Sequence, residues 1–448
     1  MRQFVKRLVR GRALFSPALA AATAALVAGG GGAEARPTAV FEQAHPAAGS
    51  IVALTGGAVI DVTGGTRIER ATVLIDGDRI TAVGPAASVD IPAGAQRIDM
   101  SGRWLIPGLI NCHVHLGLKL PGAAGAALAS ESDADEVLRM EDNARKSLYS
   151  GVTTVRLTGE DHGNDFALKR AIDSGRTLGP RIQTAGAIIV PTGGHGSLEA
   201  DGPYGLARAA REQIKAGATW IKIAISGGIA DSHGDISAAP MTDDELKTII
   251  EVAHRNGVQI TAHNGSTPAA LQALQFGIDG FEHGYHFSDE VLKKMKAQGT
   301  WLTPTMVVDQ PGVFEFFEKI GSPPWYLERV RSTGQDHMRM MRSAIRTGVN
   351  IALGTDQFPY EPNSGTTATV HEAELYVEAG MTPLQALRAA TTEPARMLKM
   401  EGDVGAISVG RYADIVAVQA DPLQDIRALR SIDFVMKGGA VVRNDAAP

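Results

Sequence analysis

The stretch "LIPGLINCHVHLGL", residues 105–118, points to the fold because an apolar run ends in two histidines spaced one residue apart. Such a run is typical of a buried β-strand, and the Pro-Gly pair at 107–108 interrupts it. Alternate residues of a strand face the same way, so His113 and His115 are predicted to point together into one interior. Two adjacent imidazoles can bind one metal ion, although a lone His-x-His pair also occurs by chance. We expect Pro107-Gly108 to mark the passage from a small β domain into a larger one.

Downstream of this stretch, strand-like segments alternate with amphipathic helical patterns such as "DELKTIIEVAHRNG". The predicted strands are "WLIPGLINCHVHL", "TTVRLT", "RIQTAGAIIV", "WIKIAIS", "VQITAHN", "GFEHGYH", "WLTPTMVV" and "NIALGTD". Eight strands in βα order predict an α/β fold, a (β/α)8 TIM-like barrel over residues 104–403. No Gly-x-Gly-x-x-Gly follows the first strand, which disfavours a dinucleotide-binding open sheet.

Short β-branched runs separated by turn residues flank this region on both sides. Examples are "IVALTGGAVIDVTGG" near the start and "DFVMKGGAVV" near the end. The pattern predicts a small β-sandwich domain, an antiparallel unit, formed discontinuously by residues 36–103 and 404–448.

Residues 1–35 have the order of an export signal: a basic start, an Ala-rich apolar run and a small-residue "AEA" site. We expect cleavage near Ala35 and a periplasmic or secreted protein with no membrane attachment; an uncleaved anchor is the alternative. Without this segment the formal charge falls from -6 to about -10. An acidic chain with no basic block is not expected to bind nucleic acid.

In a barrel the active site lies at the carboxyl ends of the strands. The chemically active residue types that the sequence places there are His113, His115, Lys222, His263, His283 and Asp356. Lys222 lies within "ATWIKIAISGG", where burial would lower its pKa and favour a neutral amine that can take up carbon dioxide as a carbamate. The alternative is a lysine with a buried stem and an exposed or paired ammonium group.

The motifs together resemble the metal-dependent amidohydrolase superfamily. Within it, the chain is similar to the exported Xaa-Pro dipeptidases, acyl-amino-acid carboxypeptidases and ochratoxin-hydrolysing amidases. The resemblance runs in order over about residues 50–443 and rests on "PGLINCHVHL", "GVTTVR", "TGGHG", "WIKIAISGG", "TAHN", "GFEHG", "ALGTD" and "VGAISVGRYADIVAVQADPLQDI".

The resemblance implies two divalent metal ions. His113, His115 and Asp356 would hold the more buried ion, His263 and His283 the second, and carbamylated Lys222 would bridge the two. A metal-bridging hydroxide would attack the substrate amide, and Asp356 would carry its proton to the departing amine. Nitrogen and oxygen ligands suit Zn first, with Mn or Co as alternatives.

The implied activity is hydrolysis of the amide or peptide bond of a dipeptide or N-acyl amino acid, a small-molecule substrate. Alternatives are a cyclic-amide hydrolase or deaminase of the imidazolonepropionase type, a phosphotriester hydrolase, and a binding protein without activity. His195 in "PTGGHGS" matches a residue that donates to the substrate in the family. His233, Tyr285 and His286 follow ligand-bearing strands and are candidate substrate-binding residues. The resemblance also implies a homo-oligomer, with the aromatic segment 309–335 as a candidate contact or lid.

Overall fold

Short extended segments open the described part of the chain, which in this computed structural model comprises residues 50–232 and 234–445. The predicted export signal at 1–35 and the candidate His233 lie outside the described residues. Seven strands come first: β1 (Ile51–Thr55), β2 (Ala58–Asp61), β3 (Thr66–Ile68), β4 (Ala71–Asp76), β5 (Arg79–Pro85), β6 (Gln96–Asp99) and β7 (Trp104–Pro107).

The middle of the chain alternates strands and helices. Its first half contains β8 (Leu109–Val114), α1 (Ala123–Ala127), α2 (Asp133–Tyr149), β9 (Val152–Leu157), α3 (Asn164–Asp173), β10 (Arg181–Thr184), β11 (Ile189–Val190), β12 (Leu198–Glu199), α4 (Gly202–Ala216) and β13 (Trp220–Ala224). Its second half contains α5 (Asp243–Arg255), β14 (Gln259–Asn264), α6 (Thr267–Gln275), β15 (Gly280–His283), α7 (Asp289–Gln298), β16 (Trp301–Thr303), α8 (Phe314–Lys319), α9 (Pro324–Thr347) and β17 (Asn350–Ile351).

The remaining elements are β18 (Pro362–Asn363), β19 (Thr366–Thr367), α10 (Ala368–Glu378), α11 (Pro383–Ala389), α12 (Thr392–Met397), β20 (Ile415–Val418), β21 (Phe434–Lys437) and β22 (Ala440–Asn444). Short 3-10 helices span Ala86–Ser88, Met306–Val308 and Ile426–Ser431. None of the helices in the described part of the chain is long and apolar enough to cross a membrane.

The middle strands pair in parallel. They form a three-stranded sheet of order β10-β9-β8 and a seven-stranded sheet of order β12-β11-β13-β14-β15-β16-β17. Several of the helices between these strands begin at a side-chain cap, namely α2, α5, α6 and α7. Helix α5, for example, begins after Thr242, whose side chain accepts a hydrogen bond from the Glu245 amide in a capping box.

Both ends of the chain supply strands to two further sheets, of order β5-β4-β1-β6 and β22-β21-β20-β7-β2-β3. Apolar side chains of both sheets, among them Leu54, Val73, Leu105, Ile415 and Phe434, form one buried cluster. Most neighbouring strands of these sheets pair antiparallel, as predicted, but two pairs do not. Strands β1 and β6 pair in parallel, as do β2 and β7, because these neighbours are joined by intervening strands rather than by tight hairpins.

The chain changes sheet at Gly108. Strand β7 pairs with β2 and β20, whereas β8 pairs with β9. A side chain at position 108 would place its Cβ 2.1 Å from Thr153 Oγ1, so this crossing between the two layers requires glycine.

Candidate metal centre and active site

The carboxyl ends of the parallel strands bring the predicted site residues to one edge. His113 lies in β8, Lys222 in β13, His263 in β14 and His283 at the end of β15, while Asp356 follows β17. Because neighbouring parallel strands end at the same edge, residues far apart in sequence meet there.

Three ligand atoms converge at the centre of this edge. The Nε2 atoms of His113 and His115 lie 3.2 Å apart, and each lies 3.0 Å from Asp356 Oδ1. His283 Nδ1 lies 4.0 Å from Asp356 Oδ2. One potential ligand atom from each of His113, His283 and Asp356 falls within 4.8 Å of the others.

The chemistry of this donor set fits a cation. His115 Nδ1 lies 2.6 Å from the Gly159 carbonyl oxygen, which can only accept, so Nδ1 carries a proton and Nε2 is free to bind. His113 Nδ1 lies 2.7 Å from the carboxylate of Glu282, which leaves its Nε2 free in the same way. Two imidazole lone pairs and a carboxylate oxygen therefore face one another, an arrangement that a proton or a metal ion between them must stabilise.

His263 and His283 lie next to His113 at the same centre. Their ring centroids lie 4.5 Å apart, and those of His113 and His283 lie 5.0 Å apart. Burial lowers the pKa of His263 and His283 well below the usual value, so both are neutral imidazoles, the form that binds metal ions. His263 Nε2 lies 3.2 Å from the Gly227 carbonyl oxygen.

Lys222 is 1% exposed on β13, among the charges of Glu282, Asp356 and Arg156. Burial lowers the pKa of its amine to about 8, despite the opposing effect of the two carboxylates. Carbamate formation requires the neutral amine, and lowering the pKa from 10.5 to about 8 increases its fraction near neutral pH.

The backbone is strained at three positions around the centre. His283, Thr305 and Asp356 have φ values of 67°, 55° and 55°, in the left-handed region that side chains other than glycine disfavour. The Asp356 amide donates to the His113 carbonyl at 2.9 Å, and Thr305 Oγ1 lies 2.7 Å from His283 Nδ1. Strain held in place by such contacts is common at functional sites.

A buried ion pair beneath the ligands was not predicted. Glu282 Oε1 accepts from Arg156 Nη2 at 2.6 Å and from Thr261 Oγ1 at 2.6 Å, and its other oxygen binds His113. Glu282 and Arg156 are fully buried. The signal in the sequence was a single charge in each of two apolar strands, "TTVRLT" and "GFEHG", since such charges are rarely buried without a partner.

A cavity of about 330 Å³ lies in front of the centre. Its lining includes His115, His263 and Asp356, together with the candidates His195 and Tyr285. The Tyr285 hydroxyl is buried and has no hydrogen-bond partner among the described residues.

His286 is not among the residues lining this cavity. Its Nδ1 lies 3.1 Å from Asp336 Oδ2, and its role in binding substrate stays a prediction.

The segment 309–335 supplies part of the cavity wall. Phe317 and Tyr326 line the cavity beside Val308 and Tyr285. The aromatic residues pack into a buried cluster rather than facing solvent, which fits a wall or lid more directly than an exposed contact surface.

Comparison with known proteins places this site in a family. Residues 104–442 match the model of the amidohydrolase family. Ochratoxinase of Aspergillus niger is 29% identical over 429 residues, which cover 85% of this chain and 84% of that enzyme.

Two solved structures share the fold over most of their length. A prolidase complexed with N-methylphosphonate-L-proline is 30% identical with a TM-score of 0.80, covering 88% of this chain and 100% of that one. A Xaa-Pro dipeptidase with methionine in its active site is 29% identical with a TM-score of 0.79 and the same coverages.

The fold and site define a hydrolase of the TIM-barrel class, with α/β content. The chain belongs to the amidohydrolase family, and the predicted branch of dipeptidases and ochratoxin-hydrolysing enzymes is confirmed. The family is generally metal-dependent, in keeping with the His113, His283 and Asp356 cluster.

Proposed function

We propose that this chain is a binuclear metal-dependent hydrolase that cleaves the amide bond of a dipeptide or N-acyl amino acid. The observation that carries the proposal is the convergence of His113 Nε2, His115 Nε2 and Asp356 Oδ1 within 3.2 Å, with the buried His283, His263 and Lys222 around it. The similarity to a prolidase, a Xaa-Pro dipeptidase and an ochratoxinase supports the choice of bond.

Each donor has a place in the proposed centre. His113 and His115 would hold one ion with Asp356, and His263 and His283 would hold the other. The Lys222 amine would add to carbon dioxide and lose one proton, and the resulting anionic carbamate would supply oxygen ligands to the ions. When bound, two divalent ions, Zn in the first instance, would supply a water of lowered pKa and a Lewis acid for the substrate carbonyl.

Asp356 is the proposed proton carrier. Its pKa lies well below the usual value because the effect of burial is outweighed by the charge of His113 and by hydrogen bonds to His113 and His115. The ionised carboxylate can accept a proton from the attacking water and pass it to the leaving amine.

Substrate contacts are proposed for the cavity side chains. Tyr285 can donate its unpaired hydroxyl, because burial raises its pKa well above 10 and keeps the proton in place. His195 lines the same cavity from the loop after β11 and can contact a substrate oxygen.

We also propose that eight of the ten strands in the two parallel sheets, β8–β10 and β13–β17, close into one barrel. The Thr219 amide donates to the Thr184 carbonyl at 2.8 Å, which supports a junction between β10 and β13. The Cys112 amide donates to the Leu353 carbonyl at 2.7 Å, which supports a junction between β8 and the residues after β17. The proposed small sandwich domain consists of residues 36–103 and 404–448.

The test is a substrate screen of the full chain, reconstituted with Zn, Mn or Co in the presence of bicarbonate. Dipeptides, N-acyl amino acids, lactams and phosphotriesters are supplied separately and product release is measured. We expect turnover of dipeptides or N-acyl amino acids. Turnover of lactams or phosphotriesters alone would contradict the proposal.

A further inference from the structure

His195 has a close partner that the proposed mechanism does not use. Asp231 Oδ2 lies 2.6 Å from His195 Nδ1, and both residues line the cavity in front of the metal centre. His195 follows β11, whereas Asp231 lies in the loop after β13, so the pair joins two loops at the cavity rim.

The His195 ring also lies against Gly228. A Cβ on Gly228 would stand 2.4 Å from His195 Cε1 and 2.6 Å from each ring nitrogen, so the ring packs flat on this glycine. The Gly228 amide points to the same Asp231 oxygen at 3.4 Å. One short segment therefore fixes both the plane and the rotation of the imidazole.

Arg329 of α9 anchors this segment. Its Nη2 donates to the Gly228 carbonyl at 2.9 Å and to the Gly234 carbonyl at 3.0 Å. The loop that carries Asp231 is thereby attached to a long helix whose Tyr326 also lines the cavity.

We propose that Asp231 is a positioning residue that acts through His195. Asp231 holds Nδ1 of the His195 ring. Among the described residues, Nε2 of this ring has no hydrogen-bond partner, so it is available to a substrate oxygen. The His195 and His263 ring centroids lie 4.3 Å apart, which places the His195 ring beside the metal centre. The inference rests on the proposed amide hydrolysis and names the pair that orients the carbonyl or carboxylate of the substrate.

A double-mutant cycle tests the inference, using the metal-reconstituted full chain and whichever dipeptide or N-acyl amino acid it cleaves. Asp231→Ala should lower kcat/KM by roughly 10- to 100-fold, the range for losing a hydrogen bond to a charged group. Asp231→Asn, which keeps an acceptor oxygen, should recover part of the loss. In a His195→Ala background, Asp231→Ala should not lower kcat/KM any further, because Asp231 acts by orienting the His195 ring.

Asp235→Asn is the matched control from the same loop, since this carboxylate binds the Ser237 amide instead of His195. This control should leave kcat/KM unchanged. All of the variants should leave the metal content unchanged. Additive losses in the double variant, or an Asp231→Ala variant as active as the wild type, would overturn the inference.

A measurement independent of turnover separates this inference from the proposed function. The ¹⁵N spectrum of ring-labelled histidine, assigned with His195→Ala, should show a protonated Nδ1 on His195 that changes in Asp231→Ala. If the wild type cleaves no amide, the proposed function fails while this spectrum still decides whether Asp231 orients His195. An unchanged His195 signal would refute the positioning role.

Discussion

Glu282 Oε2 lies 2.7 Å from His113 Nδ1, with both side chains buried beneath the metal centre. Arg156 and His113 together outweigh the effect of burial and hold the pKa of Glu282 below its usual value, so this group is an anion. The anion accepts the Nδ1 proton and directs His113 Nε2 toward Asp356. Carboxylate groups in this position orient histidine ligands and increase their basicity.

Replacing Glu282 with Gln should weaken metal binding by roughly 10- to 100-fold, because His113 loses its charged acceptor. It should also destabilise the fold by about 3–5 kcal/mol, since Arg156 is left as a buried charge without its counter-ion. Competition with a chromophoric chelator and chemical unfolding measure the two effects. Glu290→Gln is the control, because Glu290 forms an exposed ion pair with Lys294 on one helix. Unchanged metal affinity in Glu282→Gln would exclude the orienting role.

Asp356→Asn should keep the metal content near that of the wild type and lower kcat by at least about 100-fold. The amide oxygen can still coordinate, but the side chain can no longer accept a proton. Elemental analysis and steady-state kinetics on the same preparation separate the two properties. A variant that retains both metal and activity would refute the proton-carrier role.

Tyr285→Phe should raise KM while leaving the melting temperature unchanged or slightly higher. The buried hydroxyl has no hydrogen-bond partner within residues 50–232 and 234–445, so its removal is expected to cost no hydrogen bond and to relieve a desolvation penalty. Substrate binding is weakened instead, because the substrate then lacks a hydrogen-bond donor in the cavity. Equal KM values for the two proteins would show that the hydroxyl does not contact substrate.

The rate at which carbon dioxide and metal activate the metal-free protein should rise with pH and level off above about pH 8. Burial sets the pKa of Lys222 at about 8, and only the neutral amine, whose fraction rises through this pH, reacts with carbon dioxide. The rate is measured at constant dissolved carbon dioxide. Lys437 is the matched control: burial also lowers its pKa to about 8, and its Nζ donates to the Gly179 carbonyl away from the cavity. Lys437→Gln should show the same pH profile as the wild type; a flat wild-type profile would contradict carbamate formation at Lys222.

Much of the site was predictable because strand-end residues depend on local patterns. The apolar runs before His113, His263 and His283 identify their strands, and parallel pairing brings their ends together. Strand β17 shows the limit, since only Asn350–Ile351 pair regularly although a longer strand was predicted. Beyond Ile351 the chain keeps single backbone hydrogen bonds to its neighbours, from the Ala352 amide to the Leu302 carbonyl and from the Cys112 amide to the Leu353 carbonyl.

Partners across the fold were not predictable from local patterns. The Arg156–Glu282 pair spans 126 positions and the His195–Asp231 pair spans 36. These contacts depend on the order of the strands and the path of the loops, which the periodicity of apolar residues in the sequence does not predict. For the same reason, parallel pairing in the small β region could not be distinguished from hairpin pairing.

The most direct test of the central claim is metal and mass analysis of the active full chain after reconstitution with bicarbonate. We predict two divalent ions per chain and a 44 Da carbon dioxide adduct that maps to Lys222 when mass spectrometry is performed without acid. Lys222→Ala should lose the adduct, at least one ion and activity together. Full activity with one ion per chain and unmodified Lys222 would contradict the binuclear account.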